Sequence, residues 1–425
     1  MMKINWSGFS KKTYPERLEL LKDSNILSQE LQEGLEKNEN LSVQIADQLS
    51  ENVLGTFSLP YSIVPEVLVN GQTYTVPYVT EEPSVVAAAS FACKVISRAG
   101  GFTAQVHERQ MIGQVALYQV PDREEARQVI LSQKEELLKL ANQAYPSIVK
   151  RGGGARDLRV EQVSGQTDFL VVYLHVDTQE AMGANMLNTM LEALKPRLEN
   201  LSQGQSLMGI LSNYATESLV TATCRIALRY LSPQKDQARE LAEKIVLASH
   251  FAQADPYRAA THNKGIFNGI DALLIATGND WRAIEAGAHA YASQDGAYRG
   301  LSSWSLDAEN EELIGEMTLP MPVATKGGSI GLNPRVVLSH ELLGHPSAKE
   351  LASIIVSMGL AQNFAALKAL VGAGIQQGHM KLQAKSLALL AGAKEAEVPK
   401  LVESLIAEKT FNLEKAKGIL KALRS

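Results

Sequence analysis

Gln110-Met111-Ile112-Gly113-Gln114-Val115-Ala116-Leu117-Tyr118-Gln119-Val120 is a short, mainly apolar run that stops at Pro121-Asp122, and it reads as a β-strand. The segments after it decide the fold. Residues 122–144 carry helical spacing, 156–163 read as a strand, Ser164-Gly165 as a turn and 168–176 as a second strand. A helix over 180–198 and a strand over 206–211 complete the set. Strand, helix, strand, strand, helix, strand is a split βαβ unit of the ferredoxin-like kind. Its last strand has an alternative at 219–228, which would move the unit's end. The flanking segments differ in character from this small complete motif, so it is expected to be an insertion in a larger domain.

Upstream, 14–49 is charged and amphipathic, with Leu18, Leu21, Ile26, Leu27, Leu31 and Leu35 spaced for one apolar helix face. Extended runs come next, at 62–69 and 73–79. An Ala-rich helix over 83–99 succeeds them, with Pro83 suited to its first turn and Gly100-Gly101 ending it. Downstream lie a helix over 237–252, a Gly- and Asn-rich region over 255–280 that reads as irregular, and a helix over 281–292. Ser347-Ala348-Lys349-Glu350 has capping-box spacing and opens a helix running towards Leu370. The tail after Gly374 resolves into three short amphipathic helices.

At 425 residues, two or three domains are expected. With 45% hydrophobic and 20% charged residues and no unbroken apolar run of roughly 20, the chain reads as soluble, without a membrane partner. Residues 1–20 lack the apolar centre of a signal peptide, so a cytoplasmic location is expected. Cys93 and Cys224 show neither Cys-x-x-Cys spacing nor a ligand cluster, so they read as buried inert thiols and no metal site is expected. The net charge of -5 comes without a Lys/Arg stripe, which disfavours nucleic acid. Lys11-Lys12 and Lys150-Arg151 are either solvated surface or contacts for one phosphorylated small molecule.

No Gly-x-Gly-x-x-Gly follows a strand; Gly372-Ala373-Gly374-Ile375-Gln376-Gln377-Gly378 misses that spacing by one residue, which disfavours a standard Rossmann site. Glu180-Ala181-Met182-Gly183-Ala184-Asn185, by contrast, follows an apolar strand and opens a helix. Small residues at a helix start let a pyrophosphate approach backbone N–H groups and the positive end of the dipole. They also occur wherever helix and sheet pack closely. The polar stretch from Asp255 to Asp271, with Thr277-Gly278-Asn279-Asp280-Trp281 after it, reads as a site, with a solvated loop as the alternative. Arg258 offers a planar fork for a carboxylate. Lys264 is a compact cation for a developing oxyanion, and Asp280 a charge to hold it. In Thr80-Glu81-Glu82-Pro83-Ser84 two carboxylates begin the Ala-rich helix. They either complement its dipole or, if one is buried beside a like charge or an apolar wall, donate a proton. His379, in Gly378-His379-Met380, is by itself most simply a structural or exposed histidine.

Together these stretches resemble hydroxymethylglutaryl-CoA (HMG-CoA) reductase of the shorter bacterial type, class II. Glu51-Asn52-Val53-Leu54-Gly55 and the motifs just quoted appear in the family's order along nearly the whole chain. The resemblance implies an α+β fold: a large mainly helical domain with a central helix (1–109 and 213–374), an inserted ferredoxin-like (βαββαβ) dinucleotide-binding domain (110–212) and a small helical C-terminal flap (375–425). It also implies a homodimer, with active sites at the subunit boundary, that reduces HMG-CoA in two hydride steps to mevalonate and free CoA for isoprenoid biosynthesis.

Motif by motif, the resemblance gives catalytic roles to Glu82, Lys264, Asp280 and His379. Contacts to the hydroxymethylglutaryl portion fall to Ser84, Arg258, Asn268 and Asn363, and dinucleotide contacts to Met182, Gly183, Ala184 and Asn185, with Tyr145 nearby. Lys264 would stabilise the oxyanion, His379 protonate the departing thiolate, Glu82 or the Lys264 coupled to it protonate the aldehyde oxygen, and Asp280 tune both. NAD-preferring relatives carry an acid near the adenosine ribose. Here the corresponding place is around Ala144-Tyr145, before Gly152-Gly153-Gly154, so NADPH is expected, its 2'-phosphate near Lys150 or Arg151, with NADH the alternative. Two competing readings are a reductase of another CoA thioester or aldehyde and a CoA-ligand sensor. Binding alone would not require Glu82, Lys264, Asp280 and His379 together.

Overall fold

The computed structural model describes residues 4–24, 26–372, 384–394, 396–408 and 411–424. The amphipathic stretch expected as one helix is three: α1 (Tyr14–Asp23), α2 (Gln29–Glu36) and α3 (Val43–Leu49). Thr13, Ser28 and Ser42 stand at their starts. Such residues interrupt a helix because their side chains offer the backbone N–H groups a local partner. Leu21 and Leu27 still bury their expected face, against Trp6, Leu338 and Leu342.

β1 (Tyr61–Val69) and β2 (Gln72–Val79) form a hairpin. Helix α4 (Val85–Arg98) starts two residues after Pro83, so the proline lies outside the first turn, contrary to expectation. A five-residue strand, β3 (Phe102–Val106), lies directly behind Gly100-Gly101, where the sequence pattern suggested none.

The expected module comes next: β4 (Met111–Tyr118), α5 (Arg123–Ser132), α6 (Lys134–Ala144), the short α7 (Pro146–Val149), β5 (Gly154–Val163), β6 (Phe169–Asp177), α8 (Ala184–Ser202) and β7 (Gln205–Ser212). Its sheet runs β5-β6-β4-β7, antiparallel throughout, which is the ferredoxin-like order. The module has its own core, with Val115, Leu137, Leu174 and Leu191 fully buried. The alternative final strand is β8 (Leu219–Ala227) and belongs to the other sheet. β3 and β8 pair antiparallel, from Phe102 opposite Cys224 to Val106 opposite Val220. The module therefore leaves and rejoins the body at adjacent strands, the close-ended geometry that makes an insertion tolerable.

The body continues through α9 (Lys235–Ala254), α10 (Pro256–Ala276), α11 (Trp281–Tyr291), β9 (Ser302–Asp307), β10 (Glu312–Pro320), α12 (Pro334–Leu342) and α13 (Ala348–Val371). Its sheet order is β2-β1-β3-β8-β10-β9. The tail shows helices at 384–390, Val398–Glu408 and Leu413–Arg424 around a small separate core.

The region over 255–280 expected to be irregular is mostly the unbroken helix α10. Asp255 caps it, its carboxylate accepting from Arg258 N at 2.7 Å, and Pro256 occupies the first turn. Ala259, Ile266, Phe267, Ile270, Leu273 and Leu274 are buried at helical spacing, and that burial outweighs the weak propensity of the Asn and Gly residues. Gly269 is required by packing: a Cβ there would meet the Met358 carbonyl oxygen at 2.8 Å and the Tyr78 hydroxyl at 3.2 Å. Helix α13 starts with the expected Ser347/Glu350 capping box. Its apolarity, with a mean hydropathy of 1.6, is that of a core helix, since 72% of that window is buried inside the fold.

Candidate active site

One face of α10 turns away from the core and carries the polar groups. Lys264 and Asn268 stand one turn apart on it, with Tyr257 and Thr261 preceding them, and Arg258 is half-buried at its edge. The Lys264 ammonium pairs with the Glu82 carboxylate, drawn across from the start of α4. Their side chains are 60% and 36% exposed, so the pair faces solvent. The apolar wall or second carboxylate that the proton-donor reading required beside Glu82 is not what the fold supplies; its neighbour is a cation. Two residues on, Ser84 is held at φ 76° and makes no capping bond. A non-glycine residue in that region is strained, and strain of this kind gathers at ligand sites.

Further along α10, the Asp271 carboxyl lies close enough to Glu285 of α11 to feel its charge. Burial first, and the Glu285 charge second, push Asp271 up to about 8.

The opposite face of α10 is sealed. Asn363, expected to touch substrate, lies there instead, 2% exposed. Its Oδ1 accepts from Ser302 Oγ at 2.9 Å and Trp304 Nε1 at 2.8 Å, and its Nδ2 faces His262 Nε2 at 3.1 Å. These bonds give the amide a role in holding α13, β9 and α10 together. Cys93 and Cys224 are buried too, and burial pushes both thiols up, Cys224 to about 12.

A second polar region lies between the inserted module and the body. Tyr145, Met182, Gly183, Ala184 and Asn185 line a cleft of about 560 Å³, with Asp280 on the facing wall. Gly183 is the N-cap of α8 at φ 96°, and a Cβ there would overlap the Thr178 methyl. With no side chain at the cap, the first N–H groups of α8 stay open to a phosphate. Arg151 and Lys326 line the same cleft, so it offers two cations, an open helix start and apolar wall. These residues fit a dinucleotide. Of the basic pair Lys150-Arg151, it is Arg151 that reaches the cleft.

Asp280 is not where the sequence pattern suggested. Its carboxylate accepts from Ala283 N at 3.1 Å, capping α11, and pairs with Arg282 at 3.5 Å. It follows the far end of α10, roughly 18 Å of helix axis beyond Lys264. Within one subunit, then, Lys264 and Glu82 are joined while Asp280 belongs to the cleft between the inserted module and the body. His379 lies outside the described residues.

A second cavity, about 890 Å³, runs beside α4 past Val86, Ser90 and Lys94, with Arg17 of α1 on its other side. Arg17 and Lys94 were not singled out from the sequence. Their only signal is a cation one or more turns beyond a polar motif, and surface helices show that everywhere.

The fold and these sites define an α+β protein class in which a ferredoxin-like module presents an anion-binding helix start across a cleft from a mainly helical body. Comparison makes this particular. The sequence model of hydroxymethylglutaryl-coenzyme A reductase matches residues 13–384. The chain is similar to 3-hydroxy-3-methylglutaryl-coenzyme A reductase of Archaeoglobus fulgidus, 42% identical over 421 residues, covering 98% of this chain and 94% of the relative. Among solved structures it resembles the Streptococcus pneumoniae enzyme of that name, with 80% identity, a TM-score of 0.87, and coverage of 99% of this chain and 100% of that one. It also resembles the class II Streptococcus pneumoniae reductase bound to NADPH in open conformations, with 81% identity, a TM-score of 0.86, and coverage of 87% and 100%. The chain belongs to the hydroxymethylglutaryl-coenzyme A reductase family.

Proposed function

We propose that this chain reduces (S)-HMG-CoA to (R)-mevalonate and free CoA with NADPH, in isoprenoid biosynthesis. The observation that carries the reading is the solvent-facing Lys264–Glu82 pair on the polar face of α10, in a chain matched by the family over 13–384. When bound, a reduced nicotinamide supplies hydride. Everything else falls to the chain's own residues.

Lys264 donates to the thioester oxygen and holds the negative charge that gathers there, a contribution of about 3 kcal/mol for one preorganised donor. When the aldehyde is reduced, the Lys264 ammonium gives its proton to the same oxygen, and Glu82, ion-paired with it, holds that ammonium in place. His379 protonates the leaving thiolate, since imidazole titrates near neutral pH. Arg258 holds the carboxylate of the hydroxymethylglutaryl portion by its fork, with Ser84 and Asn268 close to the same face. Phosphates of the CoA portion are assigned to Arg17 and Lys94 in the cavity along α4, and the 2'-phosphate of NADPH to Arg151.

Residues 1–109 and 213–374 form the thioester-binding body in this reading, 110–212 the dinucleotide module and 375–425 a flap that closes on the site. The assembly is a homodimer with active sites at the subunit boundary. Two features support it: Leu54 and Phe57 stand 102% and 91% exposed in the segment 51–60, which has no helix or strand, and Asp280 is remote from the Lys264–Glu82 pair within one chain.

The test is loss of reduced-nicotinamide absorbance on adding HMG-CoA to the purified protein. Two NADPH consumed per thioester, with mevalonate recovered, is the expected result. No thioester-dependent oxidation, or equal turnover with NADH, would overturn the corresponding part of the reading.

A further inference from the structure

The dinucleotide cleft has two walls, and one half-buried arginine ties their bases together. Arg109 sits between β3 and β4, where the chain enters the module. Its Nε donates to the Gln179 carbonyl at 2.8 Å, and its Nη2 donates to the carbonyls of Ala181 at 3.2 Å and Val323 at 2.6 Å. Residues 179 and 181 belong to the loop that opens α8; residue 323 lies in the body's loop after β10, which forms the facing wall at Pro322, Ala324 and Lys326. Among the described residues no carboxylate comes within ion-pair distance of Arg109. A half-buried guanidinium whose hydrogen bonds go to backbone carbonyls, with the Glu180 and Asp177 charges nearby, is an arrangement that fixes chain geometry.

A second tie runs in parallel. Glu180, between the two carbonyls that Arg109 holds, accepts from Thr325 Oγ1 at 2.6 Å and from Ala348 N, the first residue of α13, at 2.8 Å. The Glu180 carbonyl also accepts from Thr325 N at 3.0 Å. The loop between them carries Gln179 at φ 53°, a conformation that these bonds hold in place.

We propose that Arg109 and Glu180 are positioning residues for the dinucleotide: their bonds set the gap between the α8 loop and the 323–326 wall, and so the affinity for NADPH, without touching the thioester site. The inference rests on the reading of this cleft as the NADPH site.

Arg109→Gln, Arg109→Lys and Thr325→Val test it in the full-length protein, with NADPH binding followed by the fluorescence of its nicotinamide and HMG-CoA binding by calorimetry. For Arg109→Gln the expected result is a rise of about tenfold or more in the NADPH Kd and KM, with kcat at saturating NADPH and the HMG-CoA Kd changed less than about threefold. Arg109→Lys keeps the charge but loses the fork and should fall between Arg109→Gln and the unmodified protein. Thr325→Val deletes a single bond and should raise the NADPH KM about threefold, which keeps the proposal open to refutation if Arg109→Gln does not fold. Equal weakening of both ligands would reduce Arg109 to a general stabiliser and overturn the proposal, as would unchanged NADPH affinity in Arg109→Lys and Thr325→Val. Failure of the unmodified protein to bind NADPH at all would defeat the functional reading instead, so the two failures are separable.

Discussion

His262 and Lys264 are two residues apart on α10 and live in opposite environments. The imidazole is 1% exposed and bonded to Ser302 and Asn363, whereas the ammonium is 60% exposed with Glu82 as its ion-pair partner. One helix thus carries an architectural polar face and a chemical one. The lesson is that polarity alone does not mark a site. His262 is enclosed and bonded into the fold through its Nε2 although its Nδ1 has no partner, so enclosure marks the architectural face, whereas Lys264 has an ion-pair partner and open solvent.

This contrast can be broken most decisively at Lys264. Lys264→Ala should lower kcat about a thousandfold, by removing the oxyanion donor, while the melting temperature stays nearly constant because the side chain is exposed. A variant that kept a tenth of the activity would erase the distinction between the faces. Glu82→Gln comes next: a loss of about a hundredfold is expected, measurable both with the thioester and with the free aldehyde, and the aldehyde reaction should suffer at least as much.

Asn363→Ala should do the reverse of Lys264→Ala. Removing its amide leaves the Trp304 N–H and the Ser302 hydroxyl short of a buried acceptor, so urea unfolding should show a loss of about 3 kcal/mol, while activity per folded molecule is retained. A normally stable Asn363→Ala protein with a raised HMG-CoA KM would restore the substrate contact that the sequence suggested.

Two smaller effects are pH-dependent. Burial, and then the Arg258 charge, pull His262 down to about 4 from an ordinary 6.5. The unfolded chain therefore takes up a proton in that window before the folded one does, and stability is lost as pH falls from 6.5 towards 4, levelling below it. Urea midpoints across that range should show the loss, and His262→Asn should flatten it. Asp271 works the other way: raised to about 8, it keeps its proton in the folded state after the unfolded chain has released it, so stability declines as pH rises towards 8. Asp271→Asn should remove that decline, and an unchanged profile would show that Asp271 is not its source.

The ferredoxin-like module was legible because its strands and helices differ sharply in period and are punctuated by Pro121 and Ser164-Gly165. The α10 helix was not. Its Asn and Gly residues suggested irregular chain, although Asp255-Pro256 is a helix start and the apolar residues from Ala259 to Leu274 keep helical spacing. Tertiary burial overrode local propensity there. Pro83 misled in the opposite sense: its fixed φ suits a first turn, but the helix begins only after Ser84 has turned left-handed.

By itself the sequence determined which residues carry charge, the alternation of strands and helices in the inserted module, and the motif set that marks the family, because these depend on local chemistry and spacing. Only the tertiary structure decided that Lys264 meets Glu82 while Asp280 faces the dinucleotide cleft, that Asn363 belongs to the core, and that Arg109 and Glu180 join the cleft's walls. Those outcomes depend on which faces of α10, α13 and the inserted module turn inward together, and no single segment contains that information.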